Sequence, residues 1–154
     1  MKHFKVMNNR EVKNLNFYIK DYYGSVLSKN YLFLQKKDGK VFILSKPLPD
    51  ETVFRLYINN IGLYLGKFEF NDFRLSIEGS QLLKPVKHVI ELLDIKQVND
   101  WMQGLNIELN IQLKKGYYAV RHGSDYFGTG HYKEGILRNF VSKGRRLALK
   151  NLLE

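Results

Sequence analysis

A chain of 154 residues, 44% hydrophobic and 14% aromatic, is long enough for one core or two small ones. Its 25 basic residues outnumber 15 acidic ones for a net charge of +10, and with no cysteine it excludes disulfides, thiolate zinc sites and cysteine nucleophiles. No apolar run reaches the roughly 18 residues of a membrane span, and MKHFKVMNNREVK has no signal-peptide core, so a cytoplasmic location away from membranes is expected.

Asn8-Asn9-Arg10-Glu11 fits a capping box, and Val12, Leu15, Ile19 and Tyr22 follow at helical spacing, predicting a helix over 8–23 stopped by Gly24. YLFLQKKDGKVFIL (31–44) reads as a hairpin turning at Asp38-Gly39. Pro47 and Pro49 interrupt the chain, residues 50–60 suit a short helix, and GLYLGKFEF (62–70) a strand. FRLSI (73–77) is a strand, EGSQLL (78–83) one helical turn stopped by Pro85, and HVIELL (88–93) a further strand. Asp94 caps a short helix, IKQVNDWM, that ends at Gly104 and places Trp101 as the plug of a barrel end. IELNIQL (107–113) alternates as a strand does; GYYAVRH (116–122), YFGTGHY (126–132) and ILRNFV (136–141) follow at the close spacing of an antiparallel barrel or meander. The tail, RRLALKNLL, is a last strand or a short helix.

Charge is uneven along this chain: +6 over residues 1–70, −2 over 71–113 and +7 over 114–150. A concentrated basic end points to a polyanion, with nucleic acid the leading choice. Arg138, Lys143, Arg145, Arg146 and Lys150 are interleaved with Ile136, Leu137, Phe140, Val141, Leu147 and Leu149, so an anchored element would turn its cations outward. Tyr126 and Tyr132 suit either base stacking or core, and Phe127 suits core.

Three chemical alternatives fail on the residues. GSDYFGTG (123–130) has the outer glycine spacing of a phosphate loop, but Thr129-Gly130 stand where Lys-Ser/Thr is needed and no helix follows. His122 and His131 lack the convergent partners of a metal site. His122, Ser124 and Asp125 are contiguous on one turn, and such neighbours rarely aim at one point as a triad must. No catalytic residue, metal or cofactor is expected.

LSIEGSQLLKPV (75–86), with Gly79, Ser80, Leu82-Leu83 and Pro85, resembles the opening of PUA domains, the RNA-binding modules first noted in pseudouridine synthases and archaeosine transglycosylases. WMQGLNIEL (101–109) and GYYAVRHGSDYFGTGHYKEGILRNFVSKGRRL (116–147) resemble the PUA-like C-terminal domain of Sun-type RNA 5-methylcytosine methyltransferases. The more specific parts are the glycine-containing strand pair and Asn139-Phe140-Val141 ahead of Arg145-Arg146. The resemblance covers roughly 60–150, and the first 60 residues look more loosely like the small domain before PUA in a ribosome-biogenesis protein of archaea and eukaryotes. Ser142 stands where proline is common, and the large cofactor-binding domain and catalytic cysteines of the methyltransferases have no counterpart here.

The resemblance implies an α+β chain: a small N-terminal α/β domain (1–70) and a PUA-like mixed β-barrel (71–154). It implies RNA contacts at Gly79, Ser80, Gln81 and Lys84 and at Lys143, Arg145, Arg146 and Lys150, to which the basic strands add Arg121 and Arg138. The expected function is non-catalytic binding of ribosomal or transfer RNA in RNA modification or ribosome biogenesis. The alternative is an assembly factor that delivers a separate RNA methyltransferase, with 71–113 as its docking face; RNA-modifying enzymes and ribosome-assembly proteins are its candidate partners.

Overall fold

The structure, a computed structural model, describes residues 4–27, 31–45, 62–144 and 146. The short helix expected over 50–60 and nearly all of the C-terminal tail lie outside them. The described chain is α+β and carries two five-stranded sheets. Among the described residues no helix is long and apolar enough to cross a membrane.

The first sheet is an antiparallel meander of β1 (Phe4–Val6), β2 (Tyr31–Lys36), β3 (Lys40–Ser45), β4 (Leu63–Glu69) and β5 (Asp72–Leu75) in chain order. It continues to Leu75, so the break expected after residue 70 falls inside the β4–β5 turn. Helix α1 (Asn9–Tyr18) starts with the expected capping box: the Glu11 N–H donates to Asn8 Oδ1 at 2.9 Å and the Asn8 N–H to Glu11 Oε1 at 3.1 Å. A π-helical turn, Ile19–Tyr23, extends it to left-handed Gly24. That wider turn puts Tyr23, four residues beyond Ile19, on the buried stripe with Leu15 and Ile19. Tyr22, read from the sequence as the stripe residue, is half-buried instead: it stacks on His88 at 3.8 Å and its hydroxyl donates to the Tyr117 carbonyl at 2.6 Å. Phe33, Val41, Ile43, Leu65, Phe73 and Leu75 of the sheet complete this core.

The second sheet has the order β6-β8-β9-β10-β7, built from β6 (Val89–Glu91), β7 (Ile107–Glu108), β8 (Gly116–His122), β9 (Asp125–Lys133) and β10 (Ile136–Arg138). It is mixed, because β6 runs parallel to β8 while the other pairs are antiparallel. The sheet curls round α3 (Ile95–Met102), whose Trp101 is fully buried against Val120, Tyr132 and Leu137 and donates Nε1–H to the Phe127 carbonyl at 2.9 Å. Asp94 caps α3 by accepting the Lys96 N–H. Of the strand expected over 107–113, only Ile107–Glu108 pairs; beyond it the Tyr132 hydroxyl donates to the Ile111 carbonyl at 2.6 Å. Strand β10 ends at Arg138, where the Asn139 N–H turns to Asn106 Oδ1 at 2.9 Å.

Helix α2 (Ile77–Leu83) joins the sheets. Its Gly79 lies so close to β4 that a Cβ there would run into the Leu65 carbonyl oxygen. Ser80, with no exposed surface, donates Oγ–H to the Ile77 carbonyl at 2.7 Å and accepts the Gly128 N–H at 2.9 Å. Gly128 (φ 84°) is the glycine of a bulge that shifts the β8–β9 register. Beside it, buried Thr129 Oγ1 accepts the Leu75 N–H of the first sheet at 3.0 Å. Removing the Ser80 hydroxyl orphans the buried Gly128 donor, so Ser80→Ala should cost about 1–3 kcal/mol of unfolding free energy in urea titration. An unchanged midpoint would contradict this role.

Candidate nucleic-acid interface

Strand register builds a site that no single stretch of sequence contains. On the first sheet Lys40 of β3 lies opposite Lys67 of β4, and Lys67 lies opposite Arg74 of β5. Directly opposed residues share a face, so three cations form one row, an arrangement that like-charge repulsion disfavours. Two carboxylates relieve it: Asp38 lies 3.7 Å from Lys40, and Glu69 lies 3.6 Å from Lys67 and 3.2 Å from Arg74. The Lys40 N–H bound to Asp38, with the lysine charges around it, holds that carboxyl below its ordinary range. Such part-exposed pairs are individually weak and can be displaced by phosphate.

A second row crosses the other sheet. His131 of β9 lies opposite both Tyr117 of β8 and Arg138 of β10. The Tyr117 and His131 rings meet edge to face at 4.9 Å. The two rows converge on Phe140, just past β10. The Arg74 guanidinium sits 4.3 Å from its ring centroid, the Arg138 guanidinium 5.7 Å, and the Tyr117 ring 6.0 Å. The result is a strip of cations and flat rings spanning both sheets. Strands are spaced about 4.8 Å apart, so each row of three runs roughly 10 Å.

Beside the strip lies a cleft of about 780 Å³. Lys40, Lys67 and Arg74 enter it from the first sheet, Ser76 and Glu78 from the start of α2, and Phe140 and Ser142 from the chain after β10. Its floor contains Trp101 and Phe127. Cations at a rim, rings within and an apolar floor suit a phosphate backbone with bases turned inward.

The cleft lies beside the start of α2, and most of the residues expected to contact RNA do not line it. Gly79 and Ser80 are buried and hold α2 in place, so they offer no surface to RNA. Gln81 and Lys84 are exposed at the far end of α2, where Gln81 Nε2 donates to the Tyr126 carbonyl at 3.4 Å. Arg121 is held by Glu91 at 2.7 Å and sits by the Tyr126 hydroxyl, away from the cleft lining. Its hydrogen bond, with that from the Gly123 N–H, holds the Glu91 carboxyl below its ordinary range. Arg146 is half-buried, donating Nε–H to the Val141 carbonyl at 2.8 Å. Lys143 is exposed next to Ser142 of the cleft, and Arg138 is exposed in the strip. Arg145 and Lys150 lie outside the described residues. Tyr126 and Tyr132, left open between stacking and core, are both buried; Phe127 is part of the core margin and lines the cleft.

Sequence reasoning missed Lys40, Lys67, Arg74, Tyr117 and Phe140. The first three come from three different strands, up to 34 residues apart (40 to 74) in the sequence, and only pairing register aligns them. Among the described residues no group of three or more His, Asp or Glu side chains is placed to hold a metal ion.

His131 is the titratable group of the strip. Partial burial, then the charges of Lys115 and Arg138, push its pKa below the ordinary value of 6.5; Lys133 acts the same way and Asp72 opposes them. The unfolded chain thus takes up this proton at higher pH than the folded one. The stability tied to neutral His131 is complete above about pH 6.5 and is lost as pH falls from there toward the lowered folded value. His131→Gln should flatten this part of the pH dependence, read as urea midpoints between about pH 7.5 and about pH 5.5. A variant profile parallel to the wild type would contradict the assignment.

None of the curated proteins matches the chain. Residues 87–147 match the family described as the methyltransferase RsmF PUA domain. That span contains β6 to β10, α3 and Phe140, and it begins after α2, so residues 75–86 precede it. The curled mixed sheet that carries half of the cationic strip lies within the span that matches this PUA-domain family.

Proposed function

We propose that this chain is a non-catalytic RNA-binding protein that recognises ribosomal or transfer RNA in RNA modification or ribosome biogenesis. The observation that carries the reading is the convergence of the Lys40-Lys67-Arg74 and Arg138-His131-Tyr117 rows on Phe140. A PUA-family domain supplies one row, and RNA binding is what that family resemblance implies. The mechanism is binding alone. Lys40, Lys67, Arg74 and Arg138 hold phosphates, and Arg74 and Arg138 add planar forks suited to them. Phe140 and Tyr117 offer stacking surfaces whose use needs no particular base. A second reading, delivery of a separate RNA methyltransferase, draws on exposed Leu93, Ile95 and Leu105 in the segment of net charge −2.

The purified protein should bind labelled transfer RNA and ribosomal RNA fragments with an affinity that falls steeply with salt. Lys40→Gln with Arg138→Gln should weaken binding about tenfold or more at low salt and reduce the logarithmic salt slope by about one to two units. The melting temperature should hardly move, since exposed pairs contribute little. Salt-independent binding, or binding untouched by the double change, would sink the interface. Transfer of a methyl group from S-adenosylmethionine to RNA by the purified chain would overturn the non-catalytic reading. A protein partner retained after nuclease treatment would favour delivery.

A further inference from the structure

The β4–β5 turn, Phe70-Asn71, breaks two local rules at once. Phe70 is fully exposed, and its backbone has φ 55°, in the left-handed region where a bulky side chain is strained and glycine or asparagine is not. Packing gives nothing back for either cost. The same hairpin buries its other aromatics: Phe73 is in the core, Phe68 packs on it, and their rings are 4.9 Å apart. A strained, exposed aromatic beside well-placed ones marks a residue kept for contact rather than for folding.

Its position says with what. Phe70 is flanked by Glu69 and Asp72, both close enough to Tyr117 for their charges to raise its pKa, and Asp72 also acts on His131. From the same hairpin Arg74 reaches Phe140. The tip therefore lies to the side of the cationic strip, past the Glu69–Asp72 pair and near the place where the two rows meet. Its two carboxylates are engaged by the fold: Glu69 with Lys67 and Arg74, and Asp72 as acceptor of the Tyr18 hydroxyl at 3.2 Å. What projects past them is the bare ring.

We propose that Phe70 is an RNA-contact residue that stacks on an unpaired base turned out beside the strip. This rests on the RNA-binding reading above and adds a substrate class to it: RNA with unpaired bases beside a structured region. It assigns binding to the first sheet, outside the residues that match the PUA family. An apolar ring discriminates here because a base inside a duplex is already stacked, whereas an unpaired base gains a partner.

The test uses the full chain, Phe70→Gly and Phe70→Asn, with two fluorescein-labelled probes: a stem-loop RNA with a single-stranded flank, and a blunt RNA duplex. Both substitutions relieve the turn, so the melting temperature should hold or rise. Affinity for the flanked RNA should fall about tenfold, the loss expected for one base–aromatic stack. Affinity for the duplex and the salt slope on both probes should be unchanged, because no phosphate contact is removed. Unaltered affinity of both variants for the flanked probe would overturn the stacking role and leave the RNA reading standing. Equal losses on both probes would also overturn it. Failure of the wild-type chain to bind either probe would remove the RNA reading itself, and the stacking role with it.

Discussion

Two side-chain hydroxyls on one short seam determine how the two sheets meet. Ser80 Oγ accepts the Gly128 N–H at the β9 bulge, and Thr129 Oγ1 accepts the N–H of Leu75. Bulges free backbone donors from the ladder, and β5, at the edge of its sheet, has donors with no neighbouring strand. Buried, these groups need partners, and the hydroxyls supply them. The close packing of Gly79 on Leu65 brings α2 near enough for this. With α2 in place, β5 lies against β9, and Arg74 and Arg138 both arrive at one ring, Phe140.

That placement explains an otherwise unfavourable charge pattern. Lysines and arginines directly opposed on neighbouring strands repel one another, and here the repulsion is only partly offset by Asp38 and Glu69. On the second sheet burial, then the positive charges of Lys115 and Arg138, lower the proton affinity of His131. Guanidiniums near the Phe140 ring relieve part of the repulsion, since a ring face is negative and excludes some of the water. The strip thus holds its charges at a modest folding cost in an arrangement that a polyanion would make favourable.

Much of the scaffold was legible before the structure. The capping box of α1, the Asp-Gly hairpin and the cap of α3 follow from contacts within a few residues of one another, and helical apolar spacing marked Trp101 for the core. The alternation of IELNIQL predicted a full strand, but β7 stops after Ile107–Glu108 because Tyr132 and Gly135 take up the groups beyond it. Tyr22 and Tyr23 exchanged roles because a π-helical turn shifts the buried stripe by one residue. Gly79 and Ser80 stood out in the sequence, and they do matter, but as packing residues.

Composition, periodicity and turn chemistry by themselves determined the basic excess and most of the helices and strands, because those properties depend on local preference and total charge; the mixed barrel was what the resemblance to PUA domains implied. Which cations stand together was decided only by tertiary structure. Lys40, Lys67 and Arg74 become neighbours through strand register, and Phe140 joins them to Arg138 through the Ser80–Gly128 seam. Register depends on bulges and on long-range hydrogen bonds, whose partners lie too far apart in the chain for local patterning to specify.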